Sequence, residues 1–146
     1  MLTTVPICEN RIMLSCLVVD DNPRFLDAAR KLLELEGITV VGVASSSAEA
    51  LDRVEELRPD VTLVDIDLGG ESGFELARRL DQQTAKAPRR MILISTHAES
   101  DYADLIEASP VLGFLSKSAL SGSAIRDLLR GKRDGERDDT INEPEA

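Results

Sequence analysis

The sequence predicts a doubly wound α/β domain built on a five-stranded parallel sheet, and three observations predict it. Short apolar, β-branched runs alternate five times with segments of helical period. One run, Val61-Thr62-Leu63-Val64, lacks polar alternation, as a strand covered on both faces does, and then meets Asp65-Ile66-Asp67-Leu68-Gly69-Gly70. Other strands also end in polar or charged residues, at the carboxyl edge where ligands collect in open parallel sheets.

The first strand is Leu14-Ser15-Cys16-Leu17-Val18-Val19, closed by Asp20-Asp21-Asn22-Pro23. Asn before Pro is a helix-start signal, with Pro at the first helical position. Phe25, Ala29, Leu32 and Leu33 repeat at helical spacing until Gly37 stops the first helix. Ile38 to Ala44 is the second strand. Ser46 with Glu49 is a capping-box pattern that opens a helix through Leu57, with Ala50, Leu51, Val54 and Leu57 inward. Arg58-Pro59-Asp60 separates it from the third strand. Phe74, Ala77 and Leu80 mark the third helix, which ends in Gln82-Gln83-Thr84. Met91 to Ile94 is the fourth strand, running into Ser95-Thr96-His97. A short helix follows over Tyr102, Leu105 and Ile106. Val111 to Leu115 is the fifth strand, ahead of Ser116-Lys117-Ser118. Leu120, Ala124, Ile125, Leu128 and Leu129 make the last helix.

The 146 residues suit one domain with a real core, and 42% hydrophobic with 30% charged residues is an ordinary globular balance. Residues 1–12 have no clear period and read as a disordered N-terminal extension, with Met13 the expected natural start. Residues 13–131 form the domain. Residues 132–146 are polar and acid-rich and read as a disordered tail. The net charge of −10 argues against nucleic acid, since phosphate binding needs a basic surface. No apolar run reaches membrane-spanning length, and Glu9, Asn10 and Arg11 interrupt any signal-peptide core, so the cytoplasm is the expected compartment. Cys8 and Cys16 form no metal or redox spacing, and Cys16 reads as a buried thiol.

The strands deliver chemistry to one edge: Asp20 and Asp21 from the first, Asp65 from the third, Ser95 from the fourth and Lys117 from the fifth. Carboxylates held together repel and raise each other's pKa. A hard divalent cation relieves this, and Mg²⁺ is typically held by one or two carboxylates plus waters and phosphate oxygens. A lysine and a hydroxyl beside it suit a phosphoryl group, and a carboxylate can be the nucleophile that forms an aspartyl-phosphate.

At these positions the chain resembles the receiver domains of bacterial two-component response regulators, over about residues 14 to 130. The separations from Asp21 to Asp65, to Ser95 and to Lys117 are similar to those of the single-domain chemotaxis receiver. The resemblance implies a flavodoxin-like (βα)5 domain of the stand-alone type. In it Asp65 is the phosphoacceptor, and Mg²⁺ is held by Asp20, Asp21, Asp65 and the backbone carbonyl of Asp67. Lys117 and Ser95 bind the phosphoryl group, and Phe114 is the switch aromatic that packs inward on activation. Thr96 and His97 flank the site. It implies a sensor histidine kinase as phosphodonor, a downstream protein partner of unknown identity, and self-phosphorylation and self-dephosphorylation as the only catalysis. A homodimer through the fourth helix, fifth strand and fifth helix fits the same picture. Two positions depart from the family pattern: Ser118 stands where a cis proline is common, and Thr96 where Ala or Gly is usual.

Phe114 alone would be core, Ser95 alone a loop hydroxyl, and Lys117 alone a solvated charge. One alternative is a haloacid dehalogenase-type phosphatase, with Asp65 and Asp67 as nucleophile and acid. Against it, that motif normally follows the first strand, and Gly69 stands where Thr or Val is expected. Another alternative is a degenerate receiver that binds partners without phosphorylation. The complete set of acids with Lys117 argues against that.

Overall fold

The computed structural model describes residues 14–83 and 90–130. β1 (Leu14–Val19), β2 (Ile38–Ala44), β3 (Val61–Asp65), β4 (Met91–Ser95) and β5 (Gly113–Ser116) form one sheet in the order β2-β1-β3-β4-β5. Every neighbouring pair is parallel. The connections are α1 (Pro23–Leu35), α2 (Ser47–Leu57), α3 (Gly73–Gln83) and α4 (Ala103–Glu107), which is entered through a 3₁₀ turn at Glu99–Tyr102. The last helix, α5, covers 122–130. This is the expected doubly wound (βα)5 architecture, with its topological switch point between β1 and β3.

Alternation along the strands sends side chains to two cores. Leu17, Val19, Val64, Met91 and Leu93 pack with Ala50, Val54, Leu76, Ala77 and Leu80 from α2 and α3, and Phe114 closes that cluster. Cys16, Val18, Leu63, Ile92 and Ile94 pack on the other face with Ala29 and Leu33 of α1 and Ile125 of α5. Each fully buried aliphatic side chain contributes about 1.5–3 kcal/mol. β3 and β4 are buried along their whole length, as the unbroken apolar run of β3 requires. Burial pushes the Cys16 thiol up to about 12, so it stays protonated as an inert part of the core.

The predicted starts and stops have visible causes. Asn22 is the N-cap of α1, its side chain accepting the amides of Arg24 and Phe25, with Pro23 next. Gly37 takes φ 87 beyond the end of α1. The capping box of α2 forms with a shift. Ser46 Oγ accepts Glu49 N at 3.2 Å, while the Glu49 carboxylate accepts Ser45 N at 2.8 Å instead of the N-cap amide. That bond from the Ser45 amide holds the Glu49 carboxyl below its ordinary range.

Three details differ from the sequence reading. β5 begins at Gly113 rather than Val111, because Val111 N turns back to Ser109 O and only Leu112 N reaches Met91 O on β4. Leu120 precedes α5 and is buried. Leu57 is 37% exposed: it is the last residue of α2, before Arg58 turns left-handed at φ 48, and its tip lies at the sheet edge over Gly42. Residues 1–12, Met13, Thr84 and 132–146 lie outside the described residues, as does Cys8. Among the described residues no helix is long and apolar enough to cross a membrane.

Candidate functional site

The ends of β1, β3, β4 and β5 and the loops after them surround a cavity of about 200 Å³ at the switch point. Every predicted site residue except Phe114 lines it, together with Asn22 and Gly69. Larger hollows beside Tyr102 and beside β2 hold no comparable set of converging carboxylates.

Asp20 follows β1 directly and is fully buried. Its amide donates to Ala44 O at 2.9 Å and its Oδ1 accepts Asn22 N at 2.8 Å, so the turn into α1 fixes this carboxylate. Asp65 ends β3 and is 5% exposed. Its Oδ1 accepts Asp67 N at 3.2 Å, and its Oδ2 accepts Lys117 Nζ at 3.2 Å. Asp21 is exposed at the cavity mouth. The carboxylates of Asp20, Asp21 and Asp65 offer oxygens that all lie within 4.8 Å of one another.

Lys117 comes from beyond β5 and sits 2.6 Å from Asp20 Oδ2 and 4.5 Å above the Phe25 ring centroid. Asp20 Oδ2 is buried and has this ammonium as its ion-pair partner, with no other donor among the described residues. Burial and then the Asp20 charge push the Asp65 carboxyl up to about 6, against the pull of the Asp67 amide and Lys117. Burial opposes the Lys117 charge, but the Asp20 and Asp65 carboxylates outweigh it and raise its pKa. The cavity is therefore a crowded acid cluster that one ammonium neutralises only in part.

Ser95 ends β4 and is buried. Its Oγ accepts His97 N at 2.9 Å and shares a second hydrogen bond of 3.4 Å with His97 Nδ1, so the hydroxyl is turned toward His97. His97 meets the edge of Tyr102, whose ring packs against Phe74. Thr96 is exposed at the rim. Phe114 lies one strand away, 9% exposed in the core shared with α2, α3 and α4. The Lys117–Ser118 bond is trans: no cis peptide occurs among the described residues.

The structure adds residues that sequence reasoning did not single out. Gly69 has φ +64, and a Cβ there would stand 2.5 Å from Asp21 Oδ2. Gly73 is needed because a Cβ would stand 2.1 Å from Asp65 O. Phe25 supplies the ring beneath Lys117. The adjacent glycines were the visible signal for the first of these. Nothing in the sequence marked the other two as site residues.

An all-oxygen set of three carboxylates, with their charge offset by a single ammonium, fits a hard divalent cation such as Mg²⁺.

A doubly wound (βα)5 sheet with an acid-and-lysine cavity at its switch point is the class of the two-component signalling domains. The chain belongs to the response regulator receiver domain family, which it matches over residues 16–129. It is 33% identical to the transcriptional regulatory protein DesR of Bacillus subtilis over 83% of this chain and 61% of the relative. It is 32% identical to the response regulator UvrY of Escherichia coli K12 over 83% of this chain and 56% of that protein. The chain thus spans little more than half the length of these relatives. Among solved structures it is similar to a two-component response regulator of the LuxR family from Aurantimonas, with a TM-score of 0.71 and 25% identity. That match covers 84% of this chain and 86% of the other. The CheY-like receiver from Methanospirillum hungatei shares the fold at a TM-score of 0.64 and 24% identity, over 90% and 98% of the two chains. The dehalogenase-type phosphatase reading gains no support from any of these matches.

Proposed function

We propose that this domain is a phosphorylation-controlled switch in which Asp65 takes a phosphoryl group from the phosphohistidine of a sensor histidine kinase. The observation that carries this is the juxtaposition of Asp65 with Asp20, Asp21 and a single lysine, Lys117, at 3.2 Å. A carboxylate oxygen of Asp65 attacks phosphorus in line. The new O–P bond forms as the P–N bond to the kinase imidazole breaks, and that electron pair leaves on the ring nitrogen. Lys117 holds the Asp65 carboxylate in place before transfer and pairs with phosphoryl oxygens after it. Ser95, at the end of β4, turns its hydroxyl from His97 Nδ1 to donate to a phosphoryl oxygen. Asp20, Asp21, Asp65 and the Asp67 carbonyl would hold Mg²⁺, which supplies positive charge for the phosphoryl oxygens when bound.

Burial suits Phe114 to the inward state of the family's switch aromatic, and we assign it that role. The output runs through contacts with a downstream protein, in keeping with the net charge of −10. Catalysis is limited to gain and loss of the domain's own phosphoryl group. We place the domain at residues 13–131, with flanking segments outside it. Incubation with a small phosphodonor and Mg²⁺ should add one hydroxylamine-labile phosphoryl group, seen by intact mass. Asp65→Asn should not be labelled, because an amide is not a competent nucleophile. Equal labelling of the variant would overturn the assignment.

A further inference from the structure

The loop after Asp65 folds back on itself across four residues, 68–71. Asp67 and Ser72 form an antiparallel bridge, and the turn between them runs through Gly69 and Gly70, both at positive φ. Leu68 N donates to Glu71 O at 2.9 Å, and Gly69 N to Asp67 Oδ1 at 3.1 Å. Two adjacent glycines make such a turn easy to form and equally easy to deform. Its stem carries the Asp67 amide that holds Asp65 Oδ1 and the Asp67 carbonyl assigned to the metal. Leu68 buries its side chain in the core at one end of this turn, and at the other end a side-chain hydrogen bond joins it to α2. Glu71 Oε1 accepts Ser47 N at 2.9 Å. Ser47 is the first residue of α2, so its amide has no partner within the helix, and a carboxylate there also meets the positive end of the helix.

We propose that Glu71 is a positioning residue for phosphorylation: its bond to the Ser47 amide locks the Gly69–Gly70 turn and so holds both backbone groups of Asp67 against Asp65. The inference rests on the reading of the cavity as a Mg²⁺ and phosphoacceptor site. A bond and a charge are both removed in Glu71→Ala, but two further variants separate them. Glu71→Gln keeps an acceptor without the charge. Ser47→Pro keeps the charge but removes the donor, and proline is favoured at a first helical position. Ser46 is already extended, at φ −148 and ψ 167, as a residue before proline should be.

The test is calorimetric Mg²⁺ binding, with phosphorylation rates against phosphodonor concentration and amide NMR shifts of Asp67 and Gly69. Glu71→Ala and Ser47→Pro should each weaken Mg²⁺ binding roughly tenfold, the lower end of what loss of an outer-shell partner costs. They should move the same two amide signals, and the double variant should be no worse than either single one. Glu71→Gln should stay close to wild type. Wild-type affinity in Ser47→Pro, with loss in Glu71→Gln, would show a charge effect and overturn the proposal. So would unchanged binding in all variants. A wild-type chain that binds no Mg²⁺ and takes no phosphoryl group would overturn the underlying reading itself, and Glu71's role with it.

Discussion

Gly73 shows how little room surrounds Asp65. A methyl group there would stand 2.1 Å from Asp65 O and 2.8 Å from Ile66 Cα, and these are backbone atoms that cannot swing aside. Gly73→Ala should therefore destabilise the domain by about 2 kcal/mol or more and slow phosphorylation by displacing Asp65. Gly70 has nothing within 4 Å of a built Cβ, so Gly70→Ala should lose only about 1 kcal/mol, through its φ of +105. Urea unfolding of the two variants checks the contrast. Thr96, exposed at the rim, is bulkier than the usual family residue and its branched side chain has few rotamers. Thr96→Ala should gain and lose the phosphoryl group faster, about severalfold, as a barrier change of ~1 kcal/mol gives. Phosphoprotein decay curves for both chains measure this, and identical half-lives would remove the steric argument.

At the scale of elements, α1 joins folding to the site. Asn22 caps the helix with its side chain and holds Asp20 Oδ1 with its amide. Asn22→Ala should lose about 1 kcal/mol whether or not Mg²⁺ is present. Asn22→Asp should regain most of that loss only with Mg²⁺, because the new cap is also another carboxylate in an acid cluster. Thermal melts of both variants with and without the ion separate the two roles. The elements themselves were largely legible in the sequence, since buried parallel strands read as apolar runs and Asn22-Pro23, Ser46 and Gly37 punctuate them. Asp20, Asp21, Asp65, Ser95 and Lys117 were legible as well, because each stands at a strand end. The frame around them was not. Glu71 meeting Ser47, Phe25 lying under Lys117 and Gly73 pressing on the Asp65 carbonyl are contacts between distant segments, and no local periodicity encodes them. The shifted cap at Glu49 and the exposure of Leu57 depend likewise on chain geometry that residue type leaves open.

For the molecule as a whole, the sheet confines charges that would otherwise separate. Val19 pairs with Val64, so Asp20 and Asp65 are carried on neighbouring hydrogen-bonded strands and cannot drift apart. Mg²⁺ should consequently stabilise the fold: at ten times its dissociation constant the gain is about 1.4 kcal/mol, a rise of a few degrees in Tm. Asp21→Ala, made at the exposed acid of the cluster, should shrink that rise, and an equal rise in both chains would place the ion elsewhere. The aromatic residues offer a way to watch these events. The chain has no Trp, one Tyr and three Phe. Phe25 lies beneath Lys117, Tyr102 touches both His97 and Phe74, and Phe114 fills the core behind β5. Phe25 and Tyr102 thus touch side chains that line the site, while Phe74 and Phe114 report on the packing beside it. Tyr102 emission and an aromatic proton spectrum of a handful of signals are built-in gauges of the switch, readable without any attached label.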